Sequence, residues 1–241
     1  MRNPFTKPVR SRSNARQRLT NLLATVLARP FQQTARRERR KTMLRTQMAG
    51  MSLHSSRGRK YLNTSERRRF LKAAHHAPPL IRAFCLVLTW SGCRVSEALA
   101  LTPASIDLDS GVVEFQTLKR RQRNLIRQVP LPATVLQELN KLFKLDSQQR
   151  EPTLTNARLW RWSRSTAWRR VKAVMQTADI QGSSAMPKGL RHTFGVAAFH
   201  AVPPHLVQRW LGHASLRTTA IYGDVSGPEE RSFAERVWQN W

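Results

Sequence analysis

The chain has 241 residues, 40% of them hydrophobic, and a formal net charge of +28. That length supports one good core plus an appendage, and the charge makes a polyanion, nucleic acid first, the expected partner. No run of about 18 apolar residues offers a membrane span, and most of the basic side chains are arginines, whose guanidinium is the better fork for phosphate oxygens.

Residues 1–60 carry sixteen Lys and Arg against one acid, Glu38. A short helix over 19–31 would be marginal in water by itself, so this stretch is expected to be a disordered basic arm. Its Arg- and Ser-rich composition is open to three readings: a DNA-binding arm, an organelle-type transit segment, or residues ahead of a later start at Met43, Met48 or Met51. The first and third are preferred. A compact domain is expected over 61–241. Asn63 followed by Glu66 is a helix-start pattern, and that helix should run to about His76. Pro78-Pro79 opens a second, mostly apolar helix over 80–91, which Gly92 stops. A short third helix is expected over 95–101. Residues 106–108, the turn Asp109-Ser110-Gly111 and residues 112–118 read as strand, turn, strand, and 127–131 reads as a third strand after a basic hairpin tip. Helices then follow near 132–145, 163–178, 187–201, 203–212, 215–222 and 228–240. The expected fold is mainly α with a small three-stranded antiparallel sheet. Cys85 and Cys93 lie in or beside the apolar run 81–92 and are read as buried thiols of a reducing cytosol, with no spacing that suits zinc.

Three tracts carry chemistry: Ser91-Gly92-Cys93-Arg94-Val95-Ser96-Glu97, Lys188-Gly189-Leu190-Arg191-His192, and the run from Leu211-Gly212-His213 to Thr218-Thr219-Ala220-Ile221-Tyr222. Tyr222 is one of only two tyrosines, the other being Tyr61. Taken singly, Arg94 reads as a surface arginine paired to Glu97, and Arg191 as an ordinary helical arginine. Together they suit attack on a phosphodiester, whose cleavage loads negative charge onto non-bridging oxygens. Removing one donor from such a site typically costs on the order of 3 kcal/mol. A phenol is a weak nucleophile until a base or a positive field activates it. His213, at a helix end, is placed to accept the Tyr222 proton or to bond the phosphate; a helix-capping role is its alternative. Lys119 is the only lysine in the tip Lys119-Arg120-Arg121-Gln122-Arg123-Asn124. Ammonium can protonate a leaving alkoxide where guanidinium almost never does, so Lys119 is the candidate acid; a turn that merely binds backbone is the alternative. Arg120, Arg121 and Arg123 are read as DNA contacts. Residues 159–170 interleave tryptophan with arginine. Arg161, Arg164, Arg169 and Lys172 are expected to position DNA with strong salt dependence, and the tryptophans to pack.

In this order, the residues resemble the tyrosine recombinase (phage integrase) family over about residues 60–241. The matching pieces are Gly92-x-Arg94-x-Ser96-Glu97-x-Leu99, the hairpin lysine, Gly189-Leu190-Arg191-His192-Thr193-Phe194, Leu211-Gly212-His213 and Thr218-Thr219-x-Ile221-Tyr222. The resemblance is closest to short resolvase and integrase proteins of plasmids and transposable elements. It implies the family's catalytic-domain fold and a site-specific DNA recombinase that needs no metal, ATP or other cofactor. Tyr222 would form a 3′-phosphotyrosyl bond and release a 5′ hydroxyl. Arg94 and Arg191 would clamp the phosphate, Lys119 would protonate the leaving oxygen, and His213 would assist proton transfer. A homo-tetrameric synapse on double-stranded DNA is implied, formed from a monomer or weak oligomer. In it the helix near 228–241 packs on a neighbour, with Trp238 and Trp241 as candidate anchors; a contact within the chain's own core is equally open. The implied location is the bacterial cytoplasm, at the nucleoid.

This chain departs from the family pattern in three places. Lys188 stands where the family usually has histidine; a charged lysine donates to a phosphate oxygen but cannot accept a proton, so it keeps an electrostatic role. The family's separate N-terminal helical DNA-binding domain has no counterpart in 1–60, as in the family's short DNA invertases. The hairpin around Lys119 is longer than usual. Two alternatives to recombination stand beside it: a type IB-like topoisomerase, and a DNA-binding accessory protein with a decayed site. The intact Arg94, Arg191, His213 and Tyr222 disfavour the second. Integration, excision, inversion and multimer resolution are not distinguished.

Overall fold

The computed structural model describes residues 53–55, 58–117, 126–224 and 228–239, all within one compact unit over 52–241. Of the basic arm expected over 1–60, residues 1–52, 56 and 57 lie outside the described residues, as do Lys119, Arg120, Arg121, Arg123 and Trp241, and its described end is paired strand and not a disordered tail. The described fold extends upstream of the expected Tyr61. Two short strands, β1 (His54–Ser55) and β2 (Gly58–Arg59), pair antiparallel, and Leu53 is buried in the same apolar cluster as Tyr61. Strands of two residues show no period to read.

Helix α1 (Thr64–His75) starts with the expected capping box: Glu66 N donates to Asn63 Oδ1 at 2.7 Å, and Asn63 N donates to Glu66 Oε2 at 2.8 Å. Helix α2 (Pro79–Ser91) ends at Gly92, which is left-handed at φ 60°. A Cβ there would also stand 2.5 Å from Phe194, so glycine answers both the turn and the close packing. The chain leaves this turn through Arg94 into the short helix α3 (Val95–Ala98). Strands β3 (Ile106–Asp107), β4 (Val112–Gln116) and β5 (Ile126–Pro130) form an antiparallel sheet in chain order. Its register sets Val113 opposite Val129 and Phe115 opposite Arg127, and all four are buried. An arginine thus occupies an inward position of β5.

The single helix expected over 132–145 is two, α4 (Ala133–Phe143) and α5 (Leu145–Arg150). Lys144, at φ 50°, breaks the hydrogen-bond ladder between them, and Leu145 is turned fully into the core. Helix α6 (Arg164–Thr177) is capped by Ser163, whose Oγ accepts from Thr166 N. Then come α7 (Pro187–Phe199), α8 (Pro204–Leu211), α9 (Leu216–Ala220) and α10 (Pro228–Trp238). Residues Ile221–Gly223 tighten into a 3-10 turn after α9, so Tyr222 sits in a turn and not at the end of a longer helix.

Two apolar clusters result. The larger gathers α1 to α6, the sheet and the first half of α7. Trp160 is at its centre, edge-on to Phe84 with ring centroids 5.2 Å apart and its Nε1–H bonded to Leu80 O. The smaller is built from Leu53, Tyr61, Val196, Ala198, Val207, Leu211 and Tyr222. Cys85 and Cys93 are free and buried, and burial pushes both thiols up to about 12. Among the described residues, no helix is long and apolar enough to cross a membrane.

Candidate active site

Two buried arginines lace the turn after α2 to the end of α8. Arg191, from the middle of α7, donates to Gly92 O at 2.7 Å and to Leu211 O at 2.6 Å. Burial, then the like charge of Arg94, lowers it to about 10, so it keeps its proton at neutral pH. Arg127, from β5, donates to Glu97 Oε2 at 2.6 Å and to Trp210 O at 2.7 Å. Glu97 is only 2% exposed and also holds Arg94, which donates through Nη1 at 2.7 Å and through its backbone N at 2.8 Å. Burial alone would raise the Glu97 carboxyl. The Arg127 and Arg94 guanidiniums outweigh it and hold the group below the usual carboxylate range. The pair of Arg94 with Glu97 expected of a surface arginine is therefore present, and it aims a part-exposed guanidinium while anchoring it to a buried carboxylate.

Tyr222 is 1% exposed. Its ring lies against Gly195 of α7, where an added Cβ would be 2.4 Å from Cζ. His213 stacks on it, with ring planes 14° apart and centroids 5.9 Å apart, and His213 Nδ1 is 3.0 Å from Thr219 Oγ1. His192 approaches from α7, with Nδ1 3.4 Å from Tyr222 Oη. Burial raises the phenol above its ordinary value, while the charges of Arg191 and Arg94 pull it back down. Burial and neighbouring cations lower His213 to about 3 and His192 to about 4, so both imidazoles are neutral at physiological pH.

The structure therefore brings Arg94, Arg191, His213 and Tyr222 together within one chain. Lys188 lies in the first turn of α7 and is exposed; its charge is felt at His192. Arg161, Arg164 and Arg169 are exposed around the start of α6. Lys172 is half-buried, and its Nζ donates to Ala185 O at 2.8 Å, tying α6 to the segment before α7. A cavity of ≈ 650 Å³ lies between the α3 turn, β4 and the start of α6, lined by Ser96, Gln116, Arg158 and Arg164 among others. Helix α10 rests on its own chain: Phe233 stacks on His200 at 3.5 Å, and Trp238 is 59% exposed. Sequence reading passed over Arg127, whose alternation with Val129 marks the inward face of β5, and gave His192 no role of its own. Thr219, which orients His213, had no signal beyond its spacing.

A family model described as the phage integrase family matches residues 60–227, a span that includes Arg94, Arg127, Arg191, His192, His213 and Tyr222. The chain belongs to the phage integrase family. Among the family's curated members, tyrosine recombinase XerD of Pasteurella multocida (strain Pm70) is 28% identical over 165 residues, covering 64% of this chain and 53% of that protein. Tyrosine recombinase XerA of Thermococcus kodakarensis is 29% identical over 182 residues, 74% of this chain and 62% of that protein. The chain thus spans about half the length of the XerD relative it matches. Among solved structures, XerA recombinase aligns with a TM-score of 0.61 at 25% identity, covering 73% of this chain and 62% of that one. XerH site-specific recombinase bound to its difH substrate before cleavage aligns with a TM-score of 0.58 at 20% identity, covering 74% and 54%, and shares the fold. The mainly helical architecture with its three-stranded sheet is that of tyrosine recombinase catalytic domains.

Proposed function

We propose that this chain is a site-specific tyrosine recombinase that breaks and rejoins double-stranded DNA through a 3′-phosphotyrosyl intermediate. The observation that carries the reading is a buried phenol in the field of Arg191 and Arg94, with two neutral imidazoles against it. Tyr222 Oη attacks the scissile phosphorus, and the bond from phosphorus to the 5′ oxygen breaks. Arg94 and Arg191 hold the non-bridging oxygens, where charge accumulates. Lys119 supplies the proton to the 5′ oxygen, Lys188 adds positive charge beside the phosphate, and His213 supports the tyrosine and its proton traffic. A 5′ hydroxyl from a partner strand then reverses the step. Arg161, Arg164 and Arg169, with Arg120, Arg121 and Arg123 of the hairpin tip, position the duplex, while Lys172, committed to Ala185 O, braces α6, and strand exchange takes place in a homo-tetrameric synapse. The high positive charge and the relatives' names support DNA as the substrate. Service to a plasmid or other mobile element completes the reading.

The test is a nicked suicide duplex built from inverted repeats in the DNA flanking the gene. Wild type should accumulate a covalent adduct at a 3′ phosphate, and Tyr222→Phe should form none. Equal trapping by both, or by neither on any such repeat, ends the reading. Relaxation of a supercoiled plasmid without such repeats would point to a topoisomerase instead.

A further inference from the structure

His192, rather than His213, offers an imidazole nitrogen at hydrogen-bond distance from the attacking oxygen. Its Nδ1 is 3.4 Å from Tyr222 Oη, a long contact of the kind that catalytic hydrogen bonds show before substrate tightens them. His213 presents its ring face to the phenol and places Nδ1 on Thr219. The second nitrogen of His192, Nε2, is buried with no hydrogen-bond partner among the described residues. A histidine kept only for packing would normally satisfy such an atom, since leaving it unpaired costs about 1–3 kcal/mol. The place on the helix matters as well. His192 lies four residues after Lys188 on α7, one turn along the same face. A charged ammonium has three donors and no acceptor, so Lys188 can steady a phosphate and cannot take a proton; His192 can. The charged groups facing His192 are the cations Lys188, Arg191 and Lys60, and with burial they keep its lone pair free at neutral pH. A phosphate anion arriving among those cations offsets their effect when the proton has to move.

We propose that His192 is the general base that takes the Tyr222 proton, a catalytic residue of the cleavage reaction on which this inference rests. As Tyr222 Oη bonds to phosphorus, its proton passes to His192 Nδ1, and the 5′ oxygen leaves with a proton from the lysine side. On rejoining, the 5′ hydroxyl attacks the phosphotyrosine, and His192 returns the proton to the departing phenolate.

The experiment is single-turnover cleavage of the suicide duplex by the full chain, with either an ordinary or a 5′-bridging phosphorothioate scissile link. A 5′ thiolate leaves without a proton, so sulfur repairs the loss of a proton donor and not the loss of a base. His192→Asn keeps a polar atom near the Nδ1 position but cannot accept the proton. It should cut slower by about 10²–10⁴-fold on both substrates, with duplex affinity unchanged and part of the rate recovered at high pH. His192→Ala should regain rate on addition of imidazole, which a structural role would not allow. A wild-type rate for His192→Asn, or a loss that sulfur repairs, overturns the assignment alone. The absence of any Tyr222-dependent adduct overturns the recombinase reading and this one with it.

Discussion

Arg94 and Tyr222 come from differently built halves of the molecule. The turn that carries Arg94 stands on the larger apolar cluster and is locked by charge, with Glu97 bonded to both Arg94 and Arg127. The turn that carries Tyr222 stands on the smaller cluster and is held by fit, with its ring between Gly195 and the face of His213. Two arginines span the halves: Arg191 bonds Gly92 and Leu211, and Arg127 bonds Glu97 and Trp210. One half is therefore sensitive to lost charge and the other to added volume. The oxyanion-binding side is preorganised by buried ion pairs, whereas the nucleophile depends on shape.

The sharpest way to break this contrast is at Glu97. Glu97→Leu leaves Arg127 as an uncompensated buried cation, and loss of one partner of a buried pair costs about 3–5 kcal/mol. Urea unfolding should show that loss; a change under about 1 kcal/mol, the range of an exposed pair, would mean that the brace is not built on charge. On the other half the matching perturbation is steric. Gly195→Ala drives a methyl into the Tyr222 ring, and overpacking of this kind costs about 1–3 kcal/mol. The larger consequence is displacement of the nucleophile: adduct yield should collapse while duplex affinity stays. Normal adduct formation by Gly195→Ala would show that Tyr222 is not positioned by this contact.

The same contrast explains what the sequence made legible. The capping box at Asn63 and Glu66, the glycine stop at Gly92 and the alternation of β4 are local signals, and the elements they mark lie where expected. Arg94, Arg191, His213 and Tyr222 could be picked out because short tracts surround them. Arg127 could not, because its role comes from an inward register and from partners 30 and 83 residues away. His192 was hidden beside a more conspicuous arginine; only the helix rotation shows which of the two faces the phenol and which faces the backbone carbonyls. The break at Lys144 was missed for a similar reason: a left-handed lysine has no local signature, and the demand to bury Leu145 is tertiary.

A pH series probes the contrast more gently. His213 and His192 titrate at about 3 and about 4 in the fold and near 6.5 in the unfolded chain. Their folded values are depressed, so the unfolded chain binds their protons first. Stability is full above about pH 6.5 and falls as the pH drops toward the folded values, by up to about 1.4 kcal/mol per unit for each histidine. Thermal melts at pH 7 and pH 5 should diverge in wild type and diverge less in His213→Gln with His192→Asn, the remainder falling to His200, which burial also lowers. An unchanged divergence in that double variant would place the acid sensitivity elsewhere.

The smallest effect on stability should come from the surface of α6, which belongs to neither half's packing. Arg161, Arg164 and Arg169 are exposed, and exposed substitutions usually stay within about 0.5 kcal/mol. Their neutralisation should show in DNA binding instead, because every phosphate that a side chain ceases to neutralise takes about one counterion out of the salt dependence. The triple change to glutamine should therefore flatten the slope of affinity against salt by about three and leave the melting temperature alone. Lys172 is the internal control. Its ammonium is committed to Ala185 O, so Lys172→Met should lower stability by about 1 kcal/mol and change the salt slope little. The reverse pattern, with Lys172 setting the slope and the three arginines setting stability, would mean that the DNA track runs across the α6–α7 junction and not over the exposed start of α6.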